Sequence, residues 1–591
     1  MKRILGIALA ILTASAALVV APTPVHADDC VAVPMDVQLN QFPLMPDLAK
    51  RFNGSDDAQV GGRCIRVSVS AKSSGAAATL LEHGWPHPAE NGPKPVVWSP
   101  AATAWKSVLN QRLADKGQPQ MAPDGTPVMV SPLVIAMPQT MAKALGWPDT
   151  PIGYSDILRL ATDPNGWGGY GHPEWGQFRL GKTNPNFSTS GLSSLVAQYY
   201  AFAGKQDGLS LEDIENTDVD QKARDVESAV VHYGDTTLTF LNHLYEADAR
   251  GAPLTYASAV AVEEQSVVNY NNGNPDGKLD PGEKPEPPHE KLVAIYPKEG
   301  TLFSDNPYIV LDAKWVSADQ KQAAAKFGEY VQRPANQRLA LRYGFRPGNS
   351  SVALGAPIDV KHGLDPAQPQ ATTLGQPDPA VLKALIDRWN TVRKGARVLM
   401  VIDESGSMIS PATRRATKLD LAKDGASDSL GQFRPDDEVG IWAFSTKIGP
   451  DAHPDYIEVS RITPRGDDIT RLRELIAALQ PTNGTPLYDI GREAYDAVDA
   501  EYDDSRINAV VLLSDGHDQG SKSSLSDLRD YLQQKSESVT APPVRIFTIA
   551  YGADADVNAM QQIAKATNGA YYDATDPSTI VDVLNAVISN F

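Results

Sequence analysis

The chain has 591 residues, of which 42% are apolar and 21% are charged, and this globular balance excludes a disordered or fibrous protein. At roughly 100 to 200 residues per domain, the length predicts three or four globular units. The formal net charge of −19 repels phosphate backbones and anionic lipid headgroups, and it therefore argues against nucleic acid as a partner.

The first 27 residues have the pattern of a secretory signal peptide. A charged start is followed by an apolar run over residues 4–21 and by Val25-His26-Ala27, a small-x-small cleavage site in front of Asp28. The alternative is an uncleaved anchor, because the run approaches the ~20 residues that span a bilayer. We expect no other transmembrane segment and a secreted, cell-surface or periplasmic protein.

Cys30 and Cys64 are the two cysteines of the chain, and both lie near the start of the exported part. In an oxidising compartment such cysteines pair, so we predict a disulfide between them. The alternative is two unrelated buried thiols.

Short apolar runs alternate with helical stretches from residue 31 to about residue 204, which predicts an α/β domain with a mainly parallel sheet. Residues 128–137 are predicted to form two strands of it. An irregular apolar stripe predicts that residues 211–270 are mostly helical. Residues 271–291, rich in Pro, Gly, Asn and acids, are predicted to form a loop.

Irregular, Pro- and Gly-rich chain over residues 347–379 marks the main domain boundary, and one predicted helix over 381–392 follows it. Beyond it, continuous apolar strands alternate with amphipathic helices, which predicts a doubly wound, mainly parallel sheet buried on both faces. The predicted units are a signal peptide (1–27), a first domain (28–351), a linker with a connecting helix (352–396) and a last domain (397–591).

Oxygen-bearing side chains follow the predicted strands of the last domain, at the edge where such sheets bind ligands. Asp403, Ser405 and Ser407 come directly after one strand, Thr485 precedes a helix, and Asp515 follows another strand. Hard oxygen ligands with few charges suit Mg²⁺ or Mn²⁺, so we predict a site for one of these ions. If these were ordinary cap and turn residues, the threonine and the second aspartate would be coincidental.

In order and context these five residues match D-x-S-x-S, then T, then D. This is the metal-ion-dependent adhesion site of the von Willebrand factor A family, which residues 397–591 resemble. The resemblance implies that the ion keeps an open position for an acidic side chain of a partner protein. Glu404 and Asp518 lie close to this edge in sequence, where they would tune the metal affinity or be solvated surface acids.

Residues 28–351 resemble bacterial extracellular solute-binding proteins of the periplasmic type, in which two α/β lobes surround a hinge. Four short segments carry the resemblance: Lys-Ser-Ser-Gly at 72–75, and the segments 181–191, 296–300 and 343–347.

Two groups of small hydroxyl residues precede predicted helices in this domain. They are Ser73 with Ser74, and Ser188 with Thr189 and Ser190. Hydroxyls and free amides at a helix N-terminus favour an anionic group. These residues are therefore predicted to line a cleft between the lobes that takes a small anionic solute. The alternative is that they are ordinary helix caps.

Of two other motifs, the first is interpreted as accidental, and for the second a plain surface loop is favoured over a calcium site. Residues 176–183 satisfy the phosphate-loop pattern G-x-x-x-x-G-K-T, but Asn184-Pro185-Asn186 stands where the helix should begin. Residues 272–283 fit a calcium loop except for Asn272 at the first position, and the proline-dense chain after them favours a plain surface loop.

The sequence has no H-E-x-x-H or G-x-S-x-G motif and no cysteine nucleophile, so we expect no catalysis. The predicted function is that of an exported, metal-dependent binding or adhesion protein with a solute-binding module. The alternatives are a solute receptor of an ABC-type transporter and an accessory factor of a chelatase-like ATPase complex.

Overall fold

The computed structural model describes residues 30–234, 236–277, 284–367, 372–467, 469–536 and 543–591. The predicted signal peptide, residues 1–27, lies outside them. No helix in these ranges has the length and apolar character needed to cross a bilayer.

The first domain consists of two lobes, each built on its own sheet. Its strands are β1 (Val31–Val37), β2 (Gln59–Val60), β3 (Arg63–Ala71), β4 (Val97–Ser99), β5 (Thr126–Pro127), β6 (Met129–Pro138), β7 (Leu180–Thr183), β8 (Val230–Gly234), β9 (Ala259–Glu263), β10 (Leu292–Ile295), β11 (Phe303–Ser304), β12 (Pro307–Val310) and β13 (Arg346–Pro347). Its helices are α1 (Met45–Asn53), α2 (Ser74–Glu82), α3 (Pro88–Asn91), α4 (Thr103–Asp115), α5 (Gln139–Ala144), α6 (Tyr154–Thr162), α7 (Thr189–Ala203), α8 (Leu211–Glu215), α9 (Thr217–Ser228), α10 (Thr237–Ala249), α11 (Pro253–Tyr256), α12 (Glu264–Asn271), α13 (Ala318–Val331) and α14 (Pro334–Arg342).

The strand order is β2-β3-β1-β4-β12-β5 in the first lobe and β10-β6-β9-β7-β8 in the second, where β11 and β13 also pair with β6. Both sheets are mixed, so the expectation of a mainly parallel sheet is wrong here. In the first lobe β1 is parallel to β3 and β4, but β12 returns from the second lobe and is antiparallel to β4. The chain crosses between the lobes at Val128 and at Asn306, where the Val128 amide donates to the Asn306 carbonyl at 3.2 Å, and it crosses again before β13, which pairs with β6.

Two local predictions for this domain are also wrong. Residues 128–137 form one long strand, β6, instead of two, because β6 serves as partner for β9, β10, β11 and β13 together. The stretch 211–270 contains the strands β8 and β9 among its helices. Both strands are completely buried and only five residues long, and so short an apolar run cannot be told from a buried helix segment by its periodicity.

The predicted disulfide is confirmed: Cys30, just before β1, is bonded to Cys64 in β3. The two residues are 34 positions apart in the sequence, so the bond closes a loop within the first lobe.

Reduction of this disulfide is expected to destabilise the first lobe by about 3 to 4 kcal/mol, because the open loop gains conformational entropy in the unfolded chain. Differential scanning calorimetry with and without reductant measures the effect. The double variant Cys30→Ala, Cys64→Ala should match the reduced protein and show no further response to reductant. An unchanged unfolding profile of the reduced protein would contradict the expectation.

The chain between the first and last domains packs on the first domain. Ile358 and Leu364 are buried with the core of the second lobe. The connecting helix α15 (Pro379–Val392) then contacts α4 of the first lobe and α7, α8 and α9 of the second. Arg388 on α15 pairs with Asp220 on α9 at 2.7 Å. This helix therefore bridges the two lobes.

The last domain is a six-stranded sheet between two layers of helices. Its strands are β14 (Gly395–Asp403), β15 (Glu438–Phe444), β16 (Tyr456–Pro464), β17 (Arg506–Ser514), β18 (Arg545–Tyr551) and β19 (Tyr571–Ala574). Its helices are α16 (Lys418–Ser429), α17 (Thr470–Ala477), α18 (Leu487–Ala500), α19 (Leu525–Ser536), α20 (Val557–Ala566) and α21 (Ile580–Ile588). The order is β16-β15-β14-β17-β18-β19, with β16 antiparallel at one edge and all other pairs parallel. The predicted doubly wound, mainly parallel sheet is confirmed.

The last domain docks on the second lobe through hydrogen bonds and apolar contacts. After α21, the Ser589 carbonyl accepts from Asn184 Nδ2 and the Asn590 carbonyl accepts from the Tyr233 amide, both at 3.0 Å. The Lys394 amide donates to the Tyr233 hydroxyl at 3.1 Å. One cluster of buried apolar residues continues from the first domain through α15 into one face of the last sheet.

Candidate functional site

The candidate metal site lies at the carboxyl edge of the last sheet. The parallel strands β14 and β17 are neighbours with Ile402 opposite Leu513, so the chain leaves both strands side by side. Asp403 ends β14, and Asp515 directly follows β17. Thr485 lies two residues before α18, in a loop that reaches the same edge.

The structure brings the five predicted metal ligands together. Ser405 Oγ and Ser407 Oγ are 2.9 Å apart, and Ser407 Oγ donates to Asp515 Oδ1 at 2.6 Å. Asp403 Oδ1 accepts from the Ser405 amide at 2.7 Å. A Cβ atom placed on Gly516 would lie 3.7 Å from both Ser407 Oγ and the Thr485 hydroxyl, so these two oxygens face the same loop.

The two carboxylates of the site are buried, and fewer cations than carboxylates lie beside them. Asp403 and Asp515 have no solvent-exposed surface. Burial, and then the charge of Asp515, raises the pKa of Asp403 to about 6. A divalent cation would reverse both effects, because it favours the ionised carboxylates.

The donor set fits Mg²⁺ or Mn²⁺. It consists of two carboxylates and three hydroxyls, all of them hard oxygen ligands. No group of three or more His, Cys, Asp or Glu residues in the described part of the chain is arranged to hold a metal ion, and this site has two such residues, with hydroxyls as its other donors. With hydroxyls as most of its ligands, an ion here would stay electrophilic.

Two neighbours of this site were not predicted. Ser514 Oγ donates to Asp403 Oδ2 at 2.6 Å. Its position next to Asp515 in the sequence could have indicated that it lies at the site. Lys418, buried at the start of α16, donates to Asp515 Oδ2 at 2.8 Å. It lies 97 residues from Asp515, and no local motif indicates this contact.

Lys418→Met is expected to strengthen Mg²⁺ binding by roughly tenfold, because the variant removes a cation that competes for Asp515. In chelator the same variant should be less stable than the wild type, since Asp515 loses its ion pair. Isothermal titration and thermal unfolding in Mg²⁺ and in chelator measure both effects. Weaker Mg²⁺ binding by the variant would contradict this role of Lys418.

Glu404 and Asp518 take structural positions near the site. Glu404 is buried, which raises its pKa, and its carbonyl accepts from the Thr482 amide at 2.7 Å. Asp518 Oδ1 accepts from the Tyr488 amide in the first turn of α18 at 3.3 Å. Both residues therefore hold the loops that carry the predicted ligands.

The predicted solute residues meet between the lobes of the first domain. Ser73, Ser74, Ser188 and Thr189 line a cavity of about 30 Å³. Ser190 is not among the lining residues; its buried hydroxyl is hydrogen-bonded at 2.7 Å to that of Thr237, which does line the cavity. A cavity of this size holds one or two water molecules.

Direct contacts close this cleft. The Gly75 amide at the start of α2 donates to the Phe187 carbonyl of the other lobe at 3.0 Å, so an amide predicted to attract an anion is already used. Thr189 Oγ1 donates to Ser74 Oγ at 3.3 Å across the lobes. A Cβ atom on Gly75 would lie 2.0 Å from the Asn186 carbonyl oxygen, which explains the glycine.

Asp36, at the end of β1 beside the cleft, is buried, and its Oδ2 has no hydrogen-bond partner among the described residues. Burial raises the pKa of Asp36 to about 7, against the opposing effects of Lys72 and of a hydrogen bond from Ser70. An aspartate whose pKa is higher in the folded chain costs stability as pH rises from about 4 to 7, and the full cost remains above pH 7.

Asp36→Asn is therefore expected to raise the free energy of unfolding at pH 8 more than at pH 5, by a few kcal/mol at most, and so to raise the unfolding temperature more at pH 8. Thermal unfolding of both proteins at the two pH values provides the measurement. An equal gain at both pH values would show that Asp36 is not protonated on folding.

The structure explains the lysine of the phosphate-loop pattern, and it describes part of the calcium-like segment. Lys182, the lysine of the phosphate-loop pattern, is completely buried in β7 and pairs there with Glu227. Its ammonium group also donates to Gln198 and is thus used inside the second lobe. Of the calcium-like segment 272–283, residues 278–283 lie outside the described residues.

The fold and these sites define a class: a two-lobed solute-binding domain followed by a von Willebrand factor A domain. The chain belongs to the family of bacterial extracellular solute-binding proteins, which matches residues 37–346. The von Willebrand factor type A domain family matches residues 398–517.

Several known proteins are similar to this chain. An uncharacterized protein of Mycobacterium tuberculosis strain CDC 1551 is 24% identical over 575 residues, which are 95% of this chain and 76% of that protein, and the same holds for a protein of strain H37Rv. A solved periplasmic thiamin binding protein is 12% identical, with a TM-score of 0.39, and the alignment covers 63% of this chain and 99% of that one. A von Willebrand factor type A protein from Catenulispora acidiphila is 20% identical, with a TM-score of 0.26, over 33% of this chain and 42% of that one. Similarity at this level indicates no ligand or partner for this chain.

Proposed function

We propose that this protein is an exported binding protein whose von Willebrand factor A domain captures an acidic group of a partner protein through Mg²⁺ or Mn²⁺. The supporting observation is the convergence of Asp403, Ser405, Ser407, Thr485 and Asp515 at one edge of the sheet. Bound there, the metal would supply an electrophilic centre with a position open to a carboxylate.

The residues of the site have distinct roles in this proposal. Asp403 and Asp515 provide the negative charge that attracts the cation, and the three hydroxyls complete the oxygen donors without neutralising it. Ser514 holds the orientation of Asp403 through its 2.6 Å hydrogen bond. Lys418 pairs with Asp515 and offsets part of its negative charge. The protein ligands would therefore leave much of the positive charge of the ion uncompensated, which favours an anionic partner.

We propose this binding role rather than that of a transport receptor. A receptor that delivers solute opens and closes its lobes. Here α15 contacts both lobes, and Asn184 and Tyr233 of the second lobe are hydrogen-bonded to the end of the last domain. These contacts favour a closed first domain.

The test is binding to an immobilised aspartate-rich peptide, with the same peptide carrying asparagine as the control. The full chain should bind the aspartate peptide in Mg²⁺ or Mn²⁺, lose it in chelator, and not bind the asparagine peptide. Equal binding in metal and in chelator would contradict a metal-bridged carboxylate.

A further inference from the structure

A second cavity, of about 930 Å³, lies where the two lobes, the connecting helix and the last domain meet. Lys72, Leu80 and Arg112 line it from the first lobe, Trp389 from α15, and Phe433 and Ile588 from the last domain. This volume suits a drug-sized molecule, whereas the cleft between the lobes does not.

The walls of this junction cavity are cationic. Lys72, Arg112, Arg393 and Arg434 line it, and none of its described lining residues is an aspartate or glutamate. No carboxylate of the described residues lies within ion-pair distance of Lys72, although its charge lowers the pKa of the buried Asp36 against the effect of burial.

The carboxylates behind these cations are shared. Arg112 and Lys116 both pair with Glu82, at 3.5 and 2.6 Å. Arg393 and Arg434 share Asp437, and Arg434 also contacts the exposed Asp436 at 3.2 Å. The excess of positive charge is therefore on the wall formed by the first lobe.

The side formed by α15 and the last domain adds apolar and aromatic side chains to Arg393 and Arg434. Phe433 and Ile588 are buried, and Trp389 is buried with an indole N–H that has no acceptor among the described residues. An apolar body would pack against this wall, and an oxygen acceptor would satisfy an indole N–H of this kind.

We propose that the junction cavity binds an organic anion, with its carboxylate, sulfonate or phosphate group at Lys72 and Arg112 and its apolar body against Phe433 and Ile588. This site is separate from the metal site, and it adjoins the cleft between the lobes, with which it shares Leu39, Ser73, Phe187 and Thr236. Since the ligand would touch the first lobe, α15 and the last domain together, it would stabilise their docking.

The experiment uses two fluorescent probes that differ by one sulfonate group: 1-anilinonaphthalene-8-sulfonate and the neutral N-phenyl-1-naphthylamine. Both are titrated into the full chain in chelator, so that failure of the metal site does not affect the result. The variants are Lys72→Gln and the cavity-filling Ala76→Trp, with Lys321→Gln and Ala335→Trp as exposed matched controls. Circular dichroism checks the fold of each variant.

The wild type should bind one equivalent of the sulfonate about tenfold more tightly than the neutral probe. Lys72→Gln should weaken the sulfonate roughly fivefold and leave the neutral probe unchanged, and Ala76→Trp should abolish both. If Ala76→Trp does not fold, the Lys72→Gln pattern decides. Equal affinity of the wild type for the two probes, the absence of saturable binding, or unchanged binding by folded Ala76→Trp would overturn the proposal.

Discussion

Asp403→Ala is expected to abolish binding of Mg²⁺ and Mn²⁺, with a loss of more than about 100-fold in affinity. Loss of a residue that only hydrogen-bonds to a metal ligand already lowers metal affinity about 10- to 100-fold. Asp403 is itself one of the two carboxylates in the donor set, so its loss should cost more. Ser405→Ala removes a neutral oxygen and should cost roughly tenfold. Isothermal titration of the full chain with each metal measures both losses.

Asp451→Ala is the matched control for this series. Asp451 is exposed on the loop between β15 and β16, so this variant changes the net charge by the same amount and leaves the site intact. Its metal affinity should equal that of the wild type. Equal affinity in Asp403→Ala would remove the basis for the metal site.

Lys182→Met is expected to lower the free energy of unfolding by about 3 to 5 kcal/mol, because it leaves the buried Glu227 carboxylate without its cation. Both side chains are completely buried, and Glu227 also accepts from the Tyr233 hydroxyl. Since that hydroxyl accepts from the Lys394 amide, the loss is expected to weaken the docking of the last domain as well. Urea unfolding of the full chain measures the change.

Two further variants make this result specific. Lys321→Met removes an exposed lysine that pairs with Asp312 and should change stability by less than about 1 kcal/mol. The double variant Lys182→Met, Glu227→Leu removes both charges and should be more stable than Lys182→Met alone. A double variant that is less stable than the single one would show that the ion pair is not the cause.

The last domain could be predicted from its sequence because its signals are local. Each predicted strand there is a continuous apolar run, and Asp403 and Asp515 each stand at the end of such a run. Parallel neighbouring strands bring these ends together, so the spatial grouping follows from the strand pattern. The edge strand β16 could not be predicted in this way, because its residues are partly or fully exposed and it has no apolar run.

The other features depend on contacts between distant parts of the chain. No pattern around Lys418 indicates that it reaches Asp515, and none around Asn184 indicates that it binds the Ser589 carbonyl. The cleft residues were predicted from helix starts. The sequence at a helix start does not show that the Gly75 amide donates its hydrogen bond to the Phe187 carbonyl of the other lobe. The closed arrangement of the lobes and the junction cavity therefore arise only when the domains pack together, and local sequence patterns do not predict them.

The proposed function depends on a divalent cation held by Asp403, Ser405, Ser407, Thr485 and Asp515. Its most direct test is anomalous X-ray scattering from crystals of the full chain grown with Mn²⁺. We expect an anomalous peak among these five side chains, about 2.0 to 2.3 Å from the oxygens that bind the ion directly. Crystals saturated with Mn²⁺ that show no peak there, or a peak only elsewhere, would contradict it.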